Sequence, residues 1–216
     1  MKKLIPEAIV FCAIISVVSY SFAQTWWQTS GQASYVAVSA DGRKMVAYNS
    51  TYPPVYSTNA GVTWFTNGLI YSLSVASSAD GTKLLACQLN YNSHYGVVIS
   101  TNSGATWIQT PLPGGETCAC SADGSTLAVN SGGLIFVSTN AGASWQTNNL
   151  PAVDMWSIAS SADGTRLIVA AYYAGTMYLS ANWGQTWLPT GAPTNSYSWH
   201  SVACSADGKH IVGLCT

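Results

Sequence analysis

Charge is what this sequence has least of. Only 7% of its residues are Asp, Glu, Lys or Arg and the net charge is −1, where an average domain carries about 25%. That removes the electrostatic basis for binding nucleic acid or an anionic membrane surface. Arginine is reduced to Arg43 and Arg166, too few for a cluster of guanidinium groups around a carboxylate. The three histidines, His94, His200 and His210, are scattered. They form no metal-ligand spacing and no Ser/His/Asp order, so no metal or other cofactor is expected.

Long apolar runs are also missing. The one sustained stretch, from about Ala8 to Val18, falls short of the ~20 residues that span a bilayer. It follows Met1-Lys2-Lys3 and precedes Ser21-Phe22-Ala23, which reads as a secretory signal over 1–23, cut after Ala23. The expectation is a secreted or periplasmic chain with no membrane insertion after cleavage. Cysteine is present without a framework: Cys87, Cys118, Cys120, Cys204 and Cys215 would remain, an odd number at no familiar spacing. Cys118 and Cys120 fall on one face of a predicted strand and cannot easily bridge each other. Small buried side chains in a tight core are the expectation for these thiols.

What the sequence does have is repetition. Ser-Ala-Asp-Gly occurs five times, with its aspartates at Asp41, Asp80, Asp123, Asp163 and Asp207, spaced 39, 43, 40 and 44 residues apart. Between these copies runs Ser-(Thr/Ala)-Asn-x-Gly-x-(Thr/Ser)-Trp, built on Asn59, Asn102, Asn140 and Asn182 and closed by Trp64, Trp107, Trp145 and Trp187. Each period holds four short β-rich runs. An alternating run precedes Ser-Ala-Asp-Gly, and a second follows it, as in Lys44–Tyr48. A third leads into the Asn motif, and a fourth begins at its tryptophan.

An Asp-Gly turn favours a tight hairpin because both residues accept positive φ. The Asn side chain can bind amides of its own turn, while the tryptophan covers the hairpin as core. Alanine recurs two residues before the motif serine at Ala37, Ala76, Ala119, Ala159 and Ala203, which suits a crowded innermost strand. A unit this small buries its sheet faces only against its neighbours.

Four strands per ~40 residues predict an all-β β-propeller of four-stranded antiparallel blades. The domain covers 24–216, with blades over about 34–67, 69–110, 115–148 and 154–190, a partial fifth over 199–216, and a closing strand over 25–30. Either the ring has one reduced blade or the chain is the front of a longer protein. An open sheet edge favours the second.

These motifs resemble the Asp-box, or BNR, repeat with Asn in place of the usual Asp. The Ser-Ala-Asp-Gly-Thr-Lys-Leu pattern is similar to propellers of the YVTN and TolB type. Together they resemble exported BNR-like repeat proteins, grouped with sialidases or with photosystem II stability and assembly factors. For a sialidase the resemblance implies an arginine triad, a Tyr/Glu nucleophile pair and an aspartate acid/base. Two arginines, both beside motif aspartates, do not supply the triad.

Both motifs lie at one end of the blades. The other end carries the blade connections and the second-to-third-strand loops, where binding usually resides on a rigid scaffold. Its candidate ligand-binding residues are Tyr52, Tyr91, His94, Tyr95, Glu116, Asp154, Trp156, Tyr172, Tyr173, Tyr197, Trp199 and His200. Aromatic faces among Asn and Ser suit a glycan or an apolar peptide. Glu116 and Asp154, each just before a first strand, could form a carboxylate pair across that end. The leading expectation is a non-catalytic scaffold that binds a protein, peptide or glycan partner. The alternatives are a glycoside-acting enzyme or a photosystem-type assembly factor.

Overall fold

The computed structural model describes residues 35–48, 55–66, 72–88, 96–150, 155–171, 175–193 and 198–215. Among them there is no helix, and eighteen strands fall into five antiparallel sheets. Blade 1 holds β1 (Tyr35–Val38), β2 (Met45–Tyr48), β3 (Val55–Ser57) and β4 (Phe65–Thr66). Blade 2 holds β5 (Ser72–Ser77), β6 (Leu84–Gln88), β7 (Gly96–Ser100) and β8 (Ile108–Gln109). Blade 3 holds β9 (Thr117–Cys120), β10 (Leu127–Ser131), β11 (Leu134–Ser138) and β12 (Gln146–Asn149). Blade 4 holds β13 (Met155–Ser160), β14 (Leu167–Ala171), β15 (Met177–Ser180) and β16 (Leu188–Pro189). Blade 5 holds β17 (Trp199–Cys204) and β18 (Ile211–Cys215). Strand order within each sheet is sequential, as the repeat predicts. The expected closing strand at 25–30 and the signal segment at 1–23 lie outside the described residues.

The Ser-Ala-Asp-Gly turn differs from the expected hairpin in one respect. Its glycines, such as Gly42 and Gly124, have positive φ, whereas its aspartates do not. The aspartate is there to accept hydrogen bonds. Asp123 Oδ1 takes the Ser121 hydroxyl at 2.6 Å and the Ser125 amide at 2.9 Å. Ser121 Oγ in turn accepts the Thr126 amide at 2.9 Å. The same serine-centred pattern recurs at Ser39, Ser78, Ser161 and Ser205. Strand two therefore starts one residue later than predicted, after the Ser39 amide to Lys44 carbonyl bond and its equivalents.

In the Asn motif, Ser57 Oγ donates to Asn59 Oδ1 and accepts from the Gly61 amide, while Asn59 Oδ1 accepts the Thr63 amide and Nδ2 donates to Thr63 Oγ1. The residue before the glycine is also left-handed, at Ala60, Ser103, Ala141 and Trp183. Its amide reaches the carbonyl that follows the aspartate turn, as Ala141 N does to Ser125 O at 2.8 Å. The two motifs are thus one hydrogen-bonded unit. The tryptophans Trp64, Trp107, Trp145 and Trp187 are half-buried, and Trp145 and Trp187 pack against the buried clusters between blades. Each of the last three donates its Nε1 to the motif glycine carbonyl, at 3.0–3.1 Å.

Packing between blades follows the two-residue alternation of a strand. In blade 3, Cys118, Leu127, Val129 and Phe136 face blade 2 and meet Leu85, Cys87 and Val97; Ala119, Ala128, Ile135 and Val137 face blade 4 and meet Ile158, Leu167 and Val169. Ile168, Ala170 and Met177 continue the pattern against Val202 and Trp199 of blade 5. Burying each such Leu, Ile or Val contributes roughly 1.5–3 kcal/mol.

The motif's own alanines mark where backbone bonds cross from blade to blade. The Ala40, Ala79, Ala122 and Ala162 amides donate to the Ala79, Ala122, Ala162 and Ala206 carbonyls at 2.7–2.8 Å. A continuous line of backbone bonds therefore ties all five blades where they converge. All five described cysteines are free thiols: Cys87 and Cys118 are buried, and Cys120, Cys204 and Cys215 are partly so.

Candidate functional site

The innermost strands begin at the loop-bearing end, and three of them begin with the same irregularity. Pairing shifts between Ser72 and Ser74, between Met155 and Ser157, and between Trp199 and Ser201. The extra residue is Leu73, Trp156 and His200 in turn. Bulges of this kind re-aim a side chain next to functional sites. Counting back from the motif serine, Glu116 holds the same position in blade 3. Glu116, just before β9, and Trp156 and His200, within β13 and β17, therefore hold equivalent sequence positions in three successive repeats.

Their surroundings fit a recognition surface. Trp156 is 53% exposed and meets His200 edge-to-face, with ring centroids 5.2 Å apart and planes at 89°, a favoured aromatic geometry. Glu116 is exposed, and its carboxylate accepts Asn130 Nδ2 at 3.1 Å and the Gly132 amide at 3.4 Å. Asn130 is fully buried and also donates to the Met155 carbonyl at 2.6 Å. One amide thus fixes the Glu116 carboxylate to the backbone that carries Trp156. Asn130 Oδ1 is buried without a hydrogen-bond partner among the described residues. Asn130 was not among the sequence candidates; a lone asparagine inside the apolar second strand was the available signal.

The other candidates divide. Trp199 is buried between blades 4 and 5, donating Nε1 to the Gly175 carbonyl at 3.0 Å, so its ring is part of that interface. Tyr52, Tyr91, His94, Tyr95, Asp154, Tyr172, Tyr173 and Tyr197 lie outside the described residues, and so does the geometry of the expected Glu116–Asp154 pair.

The depressed carboxyls sit at the opposite end. There the Ser78 and Ser121 hydroxyls, followed by turn amides, pull Asp80 and Asp123 down to about 2. Arg43 and Arg166 belong to that same end. Among the described residues no three His, Cys, Asp or Glu side chains gather where they could hold a metal ion. Among the described residues the mouth offers a placed carboxylate, an imidazole and a half-exposed indole, a set suited to holding a ligand by stacking and hydrogen bonding.

No protein-family model and no curated protein matches the chain. Solved structures do. YCF48 bound to D1 peptide aligns with a TM-score of 0.59 at 15% identity, over 84% of this chain and 59% of that one. An ancestral GH74 enzyme aligns with a TM-score of 0.67 at 20% identity, over 89% and 29%. The GH74 xyloglucanase from Xanthomonas campestris aligns with a TM-score of 0.68 at 17% identity, over 85% and 33%. The chain thus spans less than two thirds of the length of each of these neighbours. At these identities the likeness concerns fold, and with the sheet topology it establishes that this chain has a β-propeller fold, its described residues forming four four-stranded blades and a two-stranded fifth sheet.

Proposed function

We propose that this chain is a non-catalytic propeller scaffold that works outside the cytoplasm and holds a protein, peptide or glycan partner at its loop-bearing mouth. The observation that carries the reading is the exposed Trp156 ring, braced edge-on by His200 beside an anchored Glu116 carboxylate. An indole face stacks on a sugar or an apolar side chain, and the carboxylate accepts a hydroxyl or amide donor. The peptide carried by the YCF48 structure supports a peptide as one such partner.

The test is a glycan array and a peptide library probed with the intact chain, alongside a fluorogenic glycoside assay. Binding weakened at least tenfold by Trp156→Ala, with no turnover, is the expected result. Turnover abolished by Glu116→Gln would overturn the reading in favour of an enzyme.

A further inference from the structure

The few charges of this chain are sorted between its two ends. Beyond Lys2 and Lys3 the sequence holds five basic residues, Arg43, Lys44, Lys83, Arg166 and Lys209, each two or three positions after the aspartate of a Ser-Ala-Asp-Gly turn. They are engaged at that end. Lys209 Nζ lies 3.9 Å from the Asp207 carboxylate, and Lys83 Nζ donates to the Asp123 carbonyl at 2.8 Å. The side chains of Lys44, Lys83 and Arg166 lie against Gly81, Gly124 and Gly208, turn glycines of the next blade. Five motif aspartates match these five cations.

The two acids of 24–216 left over are Glu116 and Asp154. Glu116 lies at the mouth, and Asp154, outside the described residues, directly precedes β13 in the chain. Innermost strands of four to six residues separate the mouth from the motif end, roughly 13–20 Å at ~3.3 Å per residue. The Debye length at physiological salt is ~8 Å. The motif cations therefore leave the negative charge of the mouth uncompensated.

Glu116 also has room for a partner. An ionised carboxylate offers about four lone-pair sites. The Asn130 Nδ2 and the Gly132 amide take one on each oxygen, which leaves a site on each for a donor arriving from solvent. The Glu116 amide donates to the Asn130 carbonyl at 2.8 Å, so its backbone is held as well. Asn130 Nδ2 joins that carboxylate to the Met155 carbonyl, next in the chain to the half-exposed Trp156. Indole is the best aromatic partner for a cation. A guanidinium serves both groups, because its plane stacks on an indole while its fork pairs with a carboxylate.

We propose that the mouth selects a cationic peptide, seating an arginine side chain between the Trp156 indole and the Glu116 carboxylate. This partner chemistry rests on the binding role proposed above for the same mouth, and narrows it. A neutral sugar would use the indole and leave the carboxylate charge unanswered.

A spot array of blocked hexapeptides, each scaffold made with arginine, its neutral isostere citrulline or glutamate at one position, is probed with the intact chain. Binders are then titrated by fluorescence anisotropy. Arginine members should bind at least about tenfold tighter than their citrulline twins, and glutamate twins weakest. Raising NaCl from about 50 to about 500 mM should cut that ratio roughly threefold or more. Glu116→Gln, which keeps an acceptor for Asn130, should bring the ratio near one. Asp207→Asn, which removes the same charge at the opposite end, should leave it unchanged. Equal binding of arginine and citrulline twins overturns the proposal; if Trp156→Ala still weakens both, the mouth stands as a binding site of another chemistry. A ratio that falls equally with Asp207→Asn reduces the effect to net charge and overturns it too. A chain that binds glycans and no peptide sinks the cation alone, whereas peptide binding indifferent to Trp156→Ala sinks the mouth with it.

Discussion

Ser121→Ala should destabilise the chain far more than the same change at Ser205, although the two residues occupy equivalent turns. Ser121 is 0% exposed, and its hydroxyl both donates to Asp123 and accepts the amide of Thr126, itself 2% exposed. Removing that oxygen loses a hydrogen bond of about 1 kcal/mol and leaves a buried amide without a partner at a cost of about 1–3 kcal/mol. The sum is about 3 kcal/mol. At Ser205 the amide released is that of exposed His210, which water can serve, so the loss should stay below about 1 kcal/mol. Urea unfolding followed by tryptophan fluorescence reads both. With a slope of roughly 2 kcal/mol/M, the midpoint falls by about 1.5 M for Ser121→Ala and by less than about 0.5 M for Ser205→Ala.

A pH series adds a second readout. The Ser121 hydroxyl is the largest cause holding Asp123 at about 2, below the ordinary ~3.9. A depressed carboxyl stabilises the fold above the unfolded value and loses that contribution as pH falls toward its folded value. Ser121→Ala should therefore flatten the stability loss between about pH 4 and pH 2. Equal midpoint shifts at the two serines, or an unchanged acid limb, would refute the hydrogen-bond account of the motif.

Gly164→Ala should cost more than Gly42→Ala by thermal melting. Both have positive φ, worth about 1 kcal/mol, but a Cβ at Gly164 runs into the Thr126 side chain of the neighbouring blade whereas at Gly42 it meets open space. Asn140→Asp should leave stability at pH 7 within about 1 kcal/mol, because Ser144 can turn its hydroxyl to donate where it now accepts from Asn140 Nδ2. Native alkylation at pH 8 with mass-spectrometric readout should leave Cys87 and Cys120 unmodified: their thiols are pushed up, Cys120 to about 12, chiefly by a thiol neighbour at Cys87 and by burial at Cys120. Both stay protonated and unreactive at that pH. Asn130→Ala should lower both stability and ligand affinity, since it frees the Glu116 carboxylate and the Met155 carbonyl together.

The strands were legible because each motif brackets them: the run expected over Lys44–Tyr48 is the strand Met45–Tyr48, one residue shorter at its start. The turn chemistry was half legible. Asp-Gly marked the hairpin, but the aspartate's role as an acceptor for Ser121 and Ser125 depends on a φ that only the folded turn reveals. The line of alanine bonds from Ala40 to Ala206 was invisible, because it depends on the rotation between blades. At the mouth, Glu116, Trp156 and His200 were named from their place before first strands, yet two of them lie within those strands, lifted out by a bulge that alternation alone cannot show. Trp199, one residue earlier than His200, turned inward instead, and Gly213 opposite the blade core explains the room it found. The signal for that was present: a glycine where the other repeats carry valine or alanine.

Amide hydrogen exchange at the motif alanines reaches the central claim most directly, namely that five small sheets converge on a common axis. The Ala40, Ala79, Ala122 and Ala162 amides sit at turn tips and are bonded only from one blade to the next. Strong protection at all four, lost together on unfolding, is the predicted result. Rapid exchange there, with the strand amides still protected, would contradict it.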